Sequence, residues 1–220
     1  MLFFIMCLVA STLSFRMKNE QTGDSNLKSS KRTIIEWGVL IGVIVLLYVT
    51  GWHTQVIGTM QRGLLATGLI KPGIPSLTEE FPPASMDFYF ADENGRVVSL
   101  AEFEGNVVFL NVWATWCPPC IAEMPSIQTL YNEMKSVDNI SFVLVTMDEE
   151  FEKAGQFMER RGYSMPIYHY RTRSRQTYDS TVIPTTYVIT KDGRLALEKR
   201  GLARYDTPEF KDFLLELAEL

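Results

Sequence analysis

Residues 107–120 read Val107-Val108-Phe109-Leu110-Asn111-Val112-Trp113-Ala114-Thr115-Trp116-Cys117-Pro118-Pro119-Cys120. The first seven are β-branched or bulky and, Asn111 apart, apolar, which predicts a strand buried on both faces in the middle of a sheet. From Ile121-Ala122-Glu123-Met124 onward the pattern turns helical and runs to about Lys135. Two cysteines two residues apart therefore fall at a strand-to-helix junction. Cys117 takes the helix N-terminus, where unpaired backbone N–H groups and the helix dipole favour a negative charge on sulfur. The thiolate is the nucleophilic form of cysteine. Cys120, one helical turn on, is close enough to close a disulfide with it. The spacing predicts a redox dithiol.

The two prolines shape that prediction. With Cys117 as N-cap, Pro118 and Pro119 take the first two helical positions and supply no N–H. The Cys120 amide remains as a donor to sulfur. A modest lowering of the thiol pKa follows, and a reduction potential nearer about −270 mV than about −120 mV. The alternative for a Cys-x-x-Cys is half of a zinc site, but structural zinc takes four ligands in paired spacings. The remaining candidates, Cys7, His53 and His169, are unpaired and far apart. No metal or other cofactor is predicted, and the βαβ pattern around the pair is the setting in which the motif reads as thioredoxin-like.

From about Pro82 to Leu220 the chain resembles the TlpA/ResA-like group of membrane-anchored thiol-disulfide oxidoreductases, within the thioredoxin-like superfamily. The residues that carry the resemblance are Val107 to Trp113, the Trp116-Cys117-Pro118-Pro119-Cys120 core, Glu123 with Pro125, and Ile183-Pro184-Thr185. It implies an α/β thioredoxin-like fold, a mixed sheet flanked by helices with an N-terminal β-hairpin added. It implies a protein-disulfide reductase in which Cys117 attacks the substrate disulfide and Cys120 resolves the mixed disulfide. The Ile183–Pro184 bond is expected cis and facing the dithiol, with the Ile183 backbone left to pair with an extended substrate. Trp116, Pro118, Pro119, Ile183 and Pro184 then form the docking surface. Implied partners are protein disulfides, with apocytochrome c among them, and a membrane electron donor of the CcdA/DsbD kind.

Asn111 departs from the thioredoxins themselves, which carry a buried Asp at that place. Asn does not titrate. The resemblance instead implies Glu123 as the acid/base for the Cys120 proton, on the same helix face as Cys120. The alternative is a solvated Glu in the helix start. Two other functions share the fold: a peroxiredoxin-like peroxidase, whose cysteine sits in a different local motif, and a non-catalytic binding or assembly module.

Charge is divided along the chain. Residues 1–75 hold seven Lys/Arg against three Asp/Glu, net +4, and residues 76–220 hold fourteen against twenty-three, net −9. An acidic globular part argues against nucleic acid as a partner. No charged residue occurs between Glu36 and Arg62. About twenty residues at 1.5 Å each cross a hydrocarbon core of about 30 Å, with Trp37, Tyr48 and Trp52 near the ends as interfacial anchors. The predicted organisation is therefore residues 1–32 as leader or cytoplasmic tail, with translation starting at Met1 or Met17, and 33–53 as a transmembrane helix. Residues 54–83 follow as a juxtamembrane segment and linker, and 84–220 as the domain. Lys28, Lys31 and Arg32 before the span place the N-terminus inside and the domain in the extracytoplasmic or periplasmic space.

Within the domain, Met86–Phe90 and Val97–Leu100 about Asn94-Gly95 predict a hairpin. Ile140–Thr146 predicts a second buried strand, and Glu149–Arg161 a helix closed by Gly162. Ile167–Tyr170 predicts a short strand. Arg171–Asp179 predicts a helix or turn whose Arg171, Arg173 and Arg175 form a solvated face or a docking patch. A strand after Pro184, a turn at Lys191–Arg194, an edge strand Leu195–Arg200 and a helix Thr207–Leu220 complete it.

Overall fold

The computed structural model describes residues 26–49, 63, 70–77, 80–171 and 182–220. Cys7, His53, Arg173, Arg175, the leader before residue 26 and most of the juxtamembrane segment lie outside the described residues. The chain divides into two compact units, Met1–Thr50 and Gly51–Leu220.

Among its described residues the first unit holds one helix, α1, Asn26–Val49. Ile35, Trp37, Leu40, Ile41, Leu46 and Val49 lie exposed along it. Among the described residues no helix is long and apolar enough to cross a membrane, so α1 as described does not meet the span predicted at 33–53. Lys28, Lys31, Arg32 and Glu36 lie in its first half, and the predicted span runs on past Val49 to residues outside the described ones.

The second unit is built on a seven-stranded mixed sheet. In chain order its elements are β1 (Tyr89–Ala91), β2 (Val97–Ser99), a 3-10 helix (Leu100–Phe103), β3 (Val107–Trp113), α2 (Pro118–Met134) and β4 (Ile140–Thr146). Then come α3 (Phe151–Arg161), β5 (Ile167–Tyr170), β6 (Thr185–Ile189), β7 (Leu195–Arg200) and α4 (Pro208–Glu219). The strand order is β2-β1-β5-β4-β3-β6-β7. β3, β4 and β5 run parallel, and β6, β7 and β1 add antiparallel neighbours. The crossovers from β3 to β4 and from β4 to β5 step the same way along the sheet, which puts α2 and α3 on one face.

Every residue of β3 is buried, and its side chains alternate between the faces. Val107, Phe109 and Trp113 pack under the helices with Ile127, Phe157 and Phe210. Val108, Leu110 and Val112 pack on the other side with Phe88, Phe90, Val98 and Leu100 from the hairpin region. By the same alternation Asn111 points to the helical face.

Local chemistry ends the elements where the sequence predicts. Gly95, at φ +79°, makes the hairpin turn. Ser99 and Glu102 form a capping box on the 3-10 helix. Gly162 closes α3 at φ +67°, and the Thr207 hydroxyl caps α4 by accepting the Phe210 N–H. Part of the segment read as a linker is tied to the sheet. The Pro82 carbonyl accepts the Leu195 N–H at 2.8 Å, and the Ile70 carbonyl accepts the Arg204 N–H at 3.1 Å.

Candidate active site

The end of β3 and the start of α2 bring the two cysteines together as a disulfide, with Cα atoms 5.3 Å apart. Cys117 is the N-cap of α2 in extended backbone, and its Sγ accepts the Cys120 N–H at 3.2 Å. The amide left over by Pro118 and Pro119 is thus the one that reaches sulfur. Cys120 is fully buried and Cys117 only 4 % exposed, so attack on a substrate is confined to the Cys117 side. The Ile183–Pro184 bond is cis, and the Ile183 carbonyl oxygen lies 3.7 Å from Cys117 Sγ. Ile183 precedes β6 and takes no part in its register with β3. Around the sulfur, Trp116 is 60 % exposed and Val182 also projects. Pro118 and Pro119 are half-buried, and Pro184 is buried.

Glu123 sits on α2 beneath this rim with no solvent exposure. It is not the solvated helix-start acid of the alternative reading. Its Oε1 accepts the Asn111 Nδ2–H at 2.9 Å, and its Oε2 accepts the Ala203 N–H at 3.3 Å. Burial pushes its carboxyl up to about 8, against the opposing pull of the Asn111 and Ala203 donors and the Lys199 ammonium. That lies near an ordinary thiol value of about 8.5.

The surroundings of Glu123 form a polar row in an apolar face. Asn111 on β3 stands opposite Thr186 on β6, and Thr186 stands opposite Lys199 on β7. Asn111 Nδ2 also donates to Thr186 Oγ1 at 2.9 Å, and the buried Tyr205 hydroxyl donates to the same oxygen at 2.7 Å. Asn111 Oδ1 has no partner.

Sequence reasoning missed Asp148, two residues past β4. Its carboxylate is buried and holds the loop that carries Cys117. It accepts the Thr115 N–H at 3.0 Å, the Thr115 hydroxyl at 2.6 Å and the Thr146 hydroxyl at 2.6 Å. An acid just past a buried parallel strand, beside the next strand's C-terminal loop, is the signal that could have found it. Thr186 and Tyr205 were also missed, because only the strand register puts them beside Asn111. Of the arginine cluster, Arg171 is exposed. Among the described residues no three His, Cys, Asp or Glu side chains gather as a metal site.

A dithiol at the N-terminus of a helix that follows a central strand, faced by a cis-proline loop, defines a thioredoxin-like redox protein. The family model Redoxin matches residues 75–212. The thiol-disulfide oxidoreductase ResA of Bacillus subtilis (strain 168) is 28% identical over 170 residues, 77% of this chain and 85% of that protein. The ResA of Halalkalibacterium halodurans is 31% identical over 132 residues, covering 59% and 74%. Among solved structures, a protein described as a thiol-disulfide oxidoreductase from Bacteroides vulgatus superposes with a TM-score of 0.55 at 24% identity, over 64% of this chain and 99% of its own. The chain belongs to the Redoxin family and is a thiol-disulfide oxidoreductase similar to ResA.

Proposed function

We propose that the chain is a membrane-anchored extracytoplasmic reductant of protein disulfides. The observation that carries the reading is the asymmetry of the pair: Cys117 at the rim beside the Ile183 carbonyl, and Cys120 buried one turn from Glu123. In the reduced protein the Cys117 thiolate attacks one sulfur of a substrate disulfide. A Cys117–substrate bond forms, and the other substrate sulfur leaves as a thiolate. Glu123 takes the Cys120 proton; the Cys120 thiolate attacks Cys117 Sγ, and the second substrate sulfur leaves. Two electrons have passed to the substrate and the Cys117–Cys120 disulfide remains. Trp116, Pro118, Pro119, Ile183 and Pro184 form the platform on which an extended substrate lies.

The oxidised pair must be re-reduced, and a membrane donor of the CcdA/DsbD kind fits a dithiol held at a membrane. Substrates with paired cysteines, apocytochrome c among them, suit an open apolar rim. Anchoring rests on the uncharged run from Trp37 to Gln61 and on the exposed apolar side chains of α1. The cations before it support an N-terminus in the cytoplasm and a domain outside. The corresponding division of the chain is 1–32, 33–53, 54–83 and 84–220.

Equilibration against a dithiothreitol or glutathione series tests the direction of flow. A reduction potential near or below about −250 mV is expected of a reductant. A value above about −150 mV overturns it in favour of a disulfide donor or isomerase. Failure of the cysteines to pair leaves only a binding module.

A further inference from the structure

The buried oxygen without a partner, Asn111 Oδ1, sits in the group that holds Glu123, and buried polar atoms are rarely left so. As placed, the carboxamide aims Nδ2 at both Glu123 Oε1 and Thr186 Oγ1. Thr186 Oγ1 then accepts from Asn111 and from Tyr205, with both lone pairs taken. This arrangement suits a carboxylate, which only accepts. It does not suit a carboxylic acid, because Glu123 is met by donors at both oxygens and its own proton has nowhere to go.

A carboxamide has nearly the same shape when turned over. Turned, Asn111 presents Oδ1 to Glu123 and to Thr186. It then accepts the acid proton on Oε1 and the Thr186 hydroxyl proton, while Thr186 keeps its bond from Tyr205. Each protonation state of Glu123 thus has a matching face of Asn111, and one amide atom is left over in either. We propose that Asn111 is a positioning residue that turns over as Glu123 gains and loses the Cys120 proton, pairing both the acid and the carboxylate. The proposal rests on Glu123 as proton acceptor. The groups facing Glu123 are Cys120 on its own helix, Asn111 on β3, Thr186 on β6, Lys199 on β7, and Ala203 and Tyr205 before α4. Burial holds the Tyr205 phenol well above its ordinary range. Glu123 is therefore the member whose charge changes near neutral pH.

The test is a pH titration of the oxidised full-length protein by NMR, where no cysteine proton competes. Glu123 is followed by its 13Cδ shift and Asn111 by the nuclear Overhauser effect between its Nδ2 protons and Thr186 Hβ. The expected result is that this effect is strong above the Glu123 midpoint and lost below it, with no such change in Glu123→Gln. Glu123 titrating while the Asn111 contact stays constant overturns the proposal and leaves the acid/base role intact. A second measurement is decay of a Cys117 mixed disulfide. Asn111→Leu removes the donor to the carboxylate, so its pH profile moves upward by about one pH unit and decay at pH 7 slows on the order of tenfold. Asn111→Asp puts a second carboxyl against Glu123 and does not restore the profile, because the two groups share one proton. An unshifted profile in Asn111→Leu also counts against the proposal. Unchanged decay in Glu123→Gln instead refutes the acid/base role itself.

Discussion

Replacing Glu123 by Gln should reshape the pH dependence of stability. Burial holds the native carboxyl at about 8 against an ordinary 4.5. Between those values the native state keeps a proton that the unfolded chain has lost. Stability therefore falls as pH rises, the contribution being complete below pH 4.5 and lost above pH 8. The full difference corresponds to about 5 kcal/mol. About 2 to 3 kcal/mol of it disappears between pH 5 and pH 7, and about 1 kcal/mol more by pH 8. Gln stays neutral and has no such slope. Its amide cannot accept from both Asn111 and Ala203, a loss of about 1 kcal/mol at every pH. The two proteins should be about equally stable near pH 5 and the Gln variant more stable by about 3 kcal/mol at pH 8. Urea unfolding of the oxidised proteins at pH 5, 6, 7 and 8, with matched m-values, measures the difference. A difference constant across that range to within about 0.5 kcal/mol means that Glu123 is already ionised at neutral pH, and the proton-transfer step would fail with it.

Asp148→Ala removes the acceptor of three hydrogen bonds and strands the Thr115 N–H and the Thr115 and Thr146 hydroxyls. A loss of about 3 kcal/mol is expected, read from the urea midpoint. Faster alkylation of reduced Cys117 should accompany it as the loop loosens, and an unchanged midpoint would remove Asp148 from the support of the site. Gly162→Ala meets no atom within 4 Å, so its cost is that of the left-handed backbone alone, about 1 kcal/mol. Thermal unfolding checks this, and a stabilised variant would contradict the assigned C-cap geometry.

The elements were legible where local chemistry and burial agree. Val107–Trp113 and Ile140–Thr146 read as strands because apolar runs of that length sit in the middle of a sheet, and Gly162 marked its helix end because only glycine takes that backbone readily. The dithiol was legible for a different reason: it lies in a short motif whose chemistry depends on spacing along the chain. The cis-proline loop was legible only through the family resemblance, since Ile-Pro by itself reads as a loop or edge-strand proline. What the sequence hid was contact at long range. Asn111 and Thr186 are seventy-five residues apart and meet only through the register of β3 with β6. Asp148 reaches Thr115 across thirty-three residues. The full burial of Glu123 likewise depends on the loop at Ala203 and Tyr205 closing over it.

Asn111 then takes on a meaning that its composition alone does not give. An Asp in its place would put a second carboxyl about 2.9 Å from Glu123, in a site sealed from water. Two such groups cannot both ionise, and they would share one proton as a coupled pair. A neutral amide on the strand leaves a single titrating group, carried by the helix and one turn from the buried Cys120. The same amide can give or accept a hydrogen bond, which no aliphatic residue of its size can do. If Glu123 carries the Cys120 proton as proposed, the strand position that looked like a lost proton carrier is the support for one on the helix.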